Sequence, residues 1–383
     1  MRQVLASRIK SMRELLGLTQ DDVAQAIGVS KEFISMVESE KRLPSLEVLA
    51  SLASYFGRDI SYFLTTREEP FVAVFRSGEL GRKESWELSK VIKLADDYAF
   101  LEEVTGKVPP LAPTYPDLLA EELKNLRLLY CYAERLADEE RSRLGLGREP
   151  IKDVFSLIES QGLHIIRREM DGVNLDGVFL FSEERGAFAI INASANKGRQ
   201  VFTAAHEYCH YLKDRDKGYQ VDKRIFEGIR NGKMPPIERV ANAFASAFLM
   251  PREAISETCS QLNHIGPEEV IYLKRYFGVS YQAMVFRLRN LNCIREGRKQ
   301  ELLLVKPQAL EKLIFAETDE EKQEHLPHIP ERFLELALDA FSMDKISMSR
   351  LAELFGTDSV TLRDVLVEAG LTARRKSVGK GGR

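Results

Sequence analysis

Apolar residues recur every three to four positions through the first sixty residues, in short runs cut by capping residues. In VLASRIKSMRELLG, Leu5, Ile9, Met12 and Leu16 share one helical face. TQDDVAQAIG opens at Thr19, a preferred N-cap, carries acidic residues that complement the helix dipole, and closes at Gly28. SKEFISMVESEKR starts at a second cap, Ser30, and SLEVLASLASYFG and DISYFL complete the run. Helices of about ten residues joined by tight turns, the second ending in glycine, meet the requirement of a helix-turn-helix. The pattern predicts a five-helix bundle over residues 1–66.

The periodicity then changes. Over 67–117 it predicts a strand at FVAVFR and an amphipathic helix around 83–104. A stretch follows in which Pro109, Pro110, Pro113 and Pro116 forbid a helix, and it reads as an extended hinge. A helix is predicted from Tyr115 to about Gly147, and a second, PIKDVFSLIESQG, between Pro150 and Gly162. Three short β-branched or aromatic runs, LHIIRRE, DGVFLFSE and GAFAIINAS, read as strands. Helices follow to the end. The fold class is therefore α+β, mostly α: a helical bundle, a domain at 118–255 with a small β-sheet, and a helical region at 256–372. The run ISMSRLAELFGTDSVTLRDVLVEAGL has a helix-turn shape with an acidic loop, which suits packing or sensing. The tail at 373–383 is basic and predicted to be disordered.

Composition narrows the class. The chain has 383 residues, 44% hydrophobic and 30% charged, as in ordinary globular proteins. No apolar run is long enough to span a membrane, and the N-terminus lacks a signal-peptide core, so a cytoplasmic location and no membrane partner are expected. Four cysteines without a CxxC spacing indicate neither a disulfide framework nor a cysteine-rich zinc module. The net charge of −3 leaves any DNA contact to local placement of charge.

The candidate chemistry lies in RQVFTAAHEYCHYLKD, a run without glycine or proline. On a helix, HExxH puts His206 and His210 on one face, one turn apart, where both can bind one zinc ion per chain. Glu207 is rotated about a hundred degrees away and can act as general base. A catalytic zinc needs a third protein ligand and an open fourth position. PPIERVANAFASAFLMP places Glu238 in the first turn of a helix and Asn242 four residues on, on the same face. Glu238 is then the third ligand, or a first-turn glutamate that complements the helix dipole; spacing leaves both open. Asn242 is a candidate to orient a ligand histidine. Tyr208, Tyr211, Tyr219 and Arg199 are near in sequence and read as structural. GAFAIINAS is the candidate sheet edge for a substrate strand.

The segments EELKNLRLLY, DGVFLF, AIINAS, GRQVFTAAHEYCHYL and ERVANAFASAFLMP resemble, in order and spacing, the ImmA/IrrE family of zinc metallopeptidases. That resemblance implies a gluzincin-like endopeptidase with His206, His210 and Glu238 as zinc ligands and Glu207 as catalytic base. Its substrate class would be a protein partner such as a repressor or antitoxin. Where the family often has Leu-Gly before the second histidine, this chain has Tyr208-Cys209; cysteine is small enough for that slot and reads as a buried, inert thiol.

Residues 8–64 resemble the XRE (Cro/phage-repressor-like) helix-turn-helix family. The resemblance implies a homodimer on double-stranded operator DNA. Gln20 would reach a phosphate or base edge. A recognition helix from Ser30 would present Lys31, Glu32 and Ser35 to the major groove, with Phe33 on a thymine methyl or packed inward, and Lys41 and Arg42 along the backbone. Eight basic and eight acidic residues balance over 1–64, so a protein-interaction module is the competing reading. Together the motifs predict a DNA-binding regulator with a zinc endopeptidase domain, acting in a stress, mobile-element or phage-defence response. The alternative is a repressor or antitoxin that uses the peptidase fold as sensor or dimerisation platform.

Overall fold

The computed structural model describes residues 2–16, 18–58, 60–64, 82–116, 118, 125–169, 176–183, 185–215, 221–222, 234–262, 264–316 and 330–368. Five helices open the chain: α1 (Arg2–Leu15), α2 (Gln20–Ile27), α3 (Lys31–Glu38), α4 (Leu46–Tyr55) and α5 (Ile60–Leu64). Thr19 and Asp22 form a reciprocal capping box at the start of α2, which ends at Gly28 in the left-handed region at φ 73°. The Ser30 hydroxyl accepts from Phe33 N at 3.2 Å to start α3. Leu5, Ile9, Met12, Val23, Ile34, Val37 and Leu52 close the core of the bundle.

Helix α6 (Arg82–Thr105) follows. The strand expected at 71–76 and the basic tail lie outside the described residues. The proline-rich stretch is not a free hinge. Ala112 N donates to the Tyr211 hydroxyl at 2.8 Å, and Tyr115 N donates to Leu212 O at 2.9 Å. Those bonds fasten it along the helix that bears the HExxH motif. Tyr115 and Pro116 are not helical, and the described helix of this stretch is α7 (Leu126–Arg143), where the Asn125 side chain accepts from Arg127 N and Leu128 N.

After α8 (Val154–Glu159) come β1 (Leu163–Arg168), β2 (Gly177–Ser182) and β3 (Gly186–Asn192), then α9 (Lys197–Lys213) and a two-residue β4 (Val221–Asp222). The sheet order is β1-β3-β2-β4, with β1 parallel to β3 and the other pairs antiparallel. Strand alternation divides this sheet between two cores. Leu163, Ile165, Phe179, Ala187, Ala189 and Ile191 face α9, whereas Ile166, Val178, Leu180, Phe188 and Ile190 face the core shared with α6 and the N-terminal bundle.

The remaining helices are α10 (Pro236–Leu249), α11 (Arg252–Gln261), α12 (Pro267–Phe277), α13 (Tyr281–Asn290), α14 (Glu296–Leu303), α15 (Pro307–Phe315), α16 (Glu331–Ser342), α17 (Met348–Leu354) and α18 (Ser359–Glu368). Helices α10 to α15 complete the core around α9. Helices α16 to α18 instead cross back to the core of the N-terminal bundle. Adjacent aspartates on α6 mark that junction: Asp96 pairs with Arg58 behind α4, and Asp97 with Arg350 on α17 at 2.6 Å. No described helix is long and apolar enough to cross a membrane.

Candidate metal centre

The Asn196 side chain starts α9 by accepting from Arg199 N at 2.9 Å. Every residue from Gln200 to Lys213 is buried, between the sheet on one side and α10 on the other. HExxH therefore sits inside the protein, not on a solvent-facing helix carrying two stray histidines. Glu238, in the first turn of α10, brings its carboxylate to both imidazoles. Its Oε2 lies 3.1 Å from His206 Nε2 and 3.6 Å from His210 Nε2, and the two Nε2 atoms are 3.1 Å apart.

The outer nitrogens decide what this cluster can hold. His206 Nδ1 faces Asn242 Oδ1 at 3.0 Å, and His210 Nδ1 faces Asp214 Oδ2 at 2.9 Å. Both acceptors select the Nδ1–H tautomer, which leaves a lone pair on each Nε2. Two imidazole lone pairs and a carboxylate then converge within 4.8 Å of one another, an arrangement that repels itself without a cation. Ligands about 2.0–2.1 Å from a tetrahedral ion stand about 3.3 Å apart, close to the spacing seen. Two nitrogens and one oxygen, with a position left open, fit zinc.

Asp214 was not anticipated. The available signal was an acid four residues beyond the second histidine, at the end of the same helix. It is itself buried; although burial pushes its pKa up, the hydrogen bond from His210 and the Lys213 ammonium outweigh this and hold it below the ordinary aspartate value. An Asp214→Ala chain is expected to bind zinc about 10- to 100-fold more weakly, because His210 loses its orienting acceptor. Competition against a chromophoric chelator measures the change, and an unaltered affinity would count against this role for Asp214.

Glu207 is buried beside the cluster, against the first residue of β2. A Cβ added to Gly177 would stand 2.6 Å from Glu207 Oε1 and 2.5 Å from Thr203 Cγ2, so only glycine lets the carboxylate lie there. The strand runs the sequence suggested did not reveal this contact. The expected edge for a substrate strand is corrected: β3, which spans most of GAFAIINAS, is interior, paired along its length with β1 and β2. Among the described residues β4 pairs with Gly177 and Val178 of β2, so the part of β2 packed against Glu207 is itself covered.

The tyrosines here hold the frame. Tyr208 donates to Glu140 Oε1, and Tyr211 donates to Gln161 O at 2.8 Å. Tyr219 lies outside the described residues, and Arg199 pairs with Asp176. Cys209 is buried, which pushes its thiol well above the usual range and keeps it unreactive.

In the N-terminal bundle, Lys31, Glu32, Ser35, Lys41 and Arg42 are exposed. Phe33 is half-buried and packs on the core with the Arg42 guanidinium 4.7 Å above its ring, so it is a packing residue on one side and a platform on the other. Gln20 is turned toward α3 and donates to Glu38 Oε2 at 2.8 Å, where Arg13 also binds.

Fold and site define the class: a helix-turn-helix bundle joined to a domain built around a buried HExxH helix. Residues 9–63 match the helix-turn-helix family HTH_3, and residues 158–289 match the IrrE N-terminal-like domain, Peptidase_M78. The chain belongs to the XRE-type helix-turn-helix family, with an IrrE-like domain fused behind it. It is 22% identical over 323 residues to the HTH-type transcriptional regulator RamB of Mycobacterium tuberculosis, a match covering 75% of this chain and 65% of RamB. It is also 22% identical over 317 residues to the propionyl-CoA carboxylase regulator of Cereibacter sphaeroides, covering 76% and 66%. The chain thus spans just under two thirds of the length of these relatives. Over 53 residues, 14% of this chain, it is 38% identical to the uncharacterized HTH-type transcriptional regulator MJ0272 of Methanocaldococcus jannaschii, of which it covers 80%.

Proposed function

We propose that the protein is a DNA-binding transcriptional regulator whose second domain is a zinc endopeptidase acting on a protein partner, a repressor or antitoxin. One observation carries the enzymatic part: His206, His210 and Glu238 converge on a single point, and the Glu207 carboxylate, on the residue after His206, is buried against Gly177 without being one of the three donors. Bound zinc supplies Lewis acidity toward a scissile carbonyl and lowers the pKa of water. Glu207 takes the proton of the attacking water and returns it to the leaving amine. Asn242 and Asp214 hold the imidazoles in the tautomer that presents Nε2. Comparison of cellular N-terminal peptides between wild type and Glu207→Gln tests this directly. New termini are expected only with wild type, and identical profiles would refute the peptidase reading.

Operator binding through α2 and α3 is supported by the family match and by the exposed Lys31, Glu32 and Ser35, with Gln20 and Ser30 at the helix starts and Lys41 and Arg42 beyond. A Lys41→Ala variant is expected to bind operator and unrelated duplex more weakly to the same extent, and to lower the salt slope by about one. Fluorescence anisotropy across a salt series measures both. The names of the relatives favour a second reading, in which the peptidase fold serves only as a sensor or dimerisation platform. Under that reading Glu207→Gln regulates as wild type does and leaves the peptide termini unchanged.

A further inference from the structure

Residues 331–368 repeat the architecture of residues 3–40 at a constant offset of 328 positions. Thr19 and Ser347 cap the second helix of each unit; their hydroxyls accept from Asp22 N and Arg350 N. Gly28 and Gly356 end those helices in the left-handed region, at φ 73° and 65°. Ser30 and Asp358 cap the third helices, accepting from Phe33 N and Thr361 N. Each of these residues stands 328 positions from its counterpart. Buried positions also correspond: Leu5 with Phe333, Ile9 with Ala337, Met12 with Ala340, Val23 with Leu351 and Ile34 with Leu362. The C-terminal unit is a second helix-turn-helix, and α18 stands where α3 stands in the first.

The outer faces of these two helices differ in chemistry. Where α3 and its C-cap present Glu32, Ser35 and Ser39, α18 presents Val360, Arg363 and Val367. Val360 is 70% exposed and Val367 58%. The second unit carries eight acidic residues against four basic ones over 331–368, which disfavours a phosphate backbone. Between the valines lie Arg363 and Asp364, both exposed and without an ion pair among the described residues. A two-fold contact requires a patch complementary to itself. Two α18 helices laid antiparallel and centred between 363 and 364 satisfy that. Val360 meets the second copy's Val367, and Arg363 meets its Asp364, twice over.

We propose that α18 is the surface through which two copies of this chain associate. This deepens the regulator reading, and the association is measured without DNA, so it fails or stands independently of operator binding. A ten-residue helix is about 15 Å long, and one such pair covers less than a standard interface of about 800 Å² per partner. The dimer is therefore expected to dissociate in the micromolar range.

Sedimentation equilibrium of the full chain tests the proposal through the charge pair. Arg363→Asp sets two acids against two acids, and Asp364→Arg sets two bases against two bases. Each is expected to raise the dimer dissociation constant by at least about tenfold. Mixing the two variants restores opposite charges at both contacts and is expected to return a heterodimer near wild-type affinity, as is the double swap Arg363→Asp/Asp364→Arg. A wild type that stays monomeric at about 100-fold above that micromolar range would overturn the proposal. So would a dimer indifferent to all of these changes, or variants that lose DNA affinity while their association is unchanged.

Discussion

His206→Ala and Glu238→Ala chains are expected to be purified with almost no zinc, and wild type with about one ion per chain. Each change removes one of three donors from a buried cluster, and the remaining two cannot make a closed set. Glu207→Gln is expected to behave differently. Its carboxylate is not among the three converging donors, so zinc content should stay near one per chain while cleavage falls by about 10²- to 10⁴-fold, the usual contribution of a general base. Elemental analysis of the purified variants, set beside cleavage rates, separates ligand from base. Should Glu207→Gln lose zinc as well, Glu207 would be a ligand and the assignment of roles would be wrong.

Glu140→Ala is expected to destabilise the folded chain by about 2–4 kcal/mol at neutral pH, because it leaves the Tyr208 and Tyr115 hydroxyls without their acceptor and Arg143 without its paired charge. Glu140 is wholly buried on α7. It accepts from the Tyr208 and Tyr115 hydroxyls and from Arg143 Nε at 2.9 Å and Nη2 at 2.6 Å. The network ties α7 to the HExxH helix and to the proline-rich strap. Burial alone would raise the Glu140 pKa, but Arg143 and the two tyrosines outweigh it and hold it below the ordinary value of 4.5. A carboxylate with a depressed folded pKa stabilises fully above its unfolded pKa, and that stability is lost as pH falls through the folded value. The deficit of the variant should thus be full at pH 7 and shrink below about pH 4.5. Urea unfolding across that pH range measures it, and a deficit independent of pH would place the effect in lost packing.

Much of this was legible along the chain because its causes are local. Thr19, Ser30 and Gly28 act within one turn of their own helices, so the helix-turn-helix could be read from them directly. His206 and His210 are one helical turn apart, and that spacing alone sets both rings on one face. Glu238 needed more, since a first-turn glutamate also serves a helix dipole; only the approach of α10 to α9 turns its carboxylate onto the imidazoles. The substrate edge was misjudged because strand order is non-local. β3 reads like any short apolar strand until β1 pairs with one side of it and β2 with the other.

The amino-acid sequence by itself determined where helices start and stop, which residues carry metal-binding chemistry and which turns need glycine. These depend on dihedral preferences, capping and side-chain identity over a few residues. Tertiary structure alone decided that Asp214 orients His210, that Gly177 makes room for Glu207, and that the last three helices return to the N-terminal core. Each of those joins groups through packing and through the tautomer that packing selects, and no period along the chain records it.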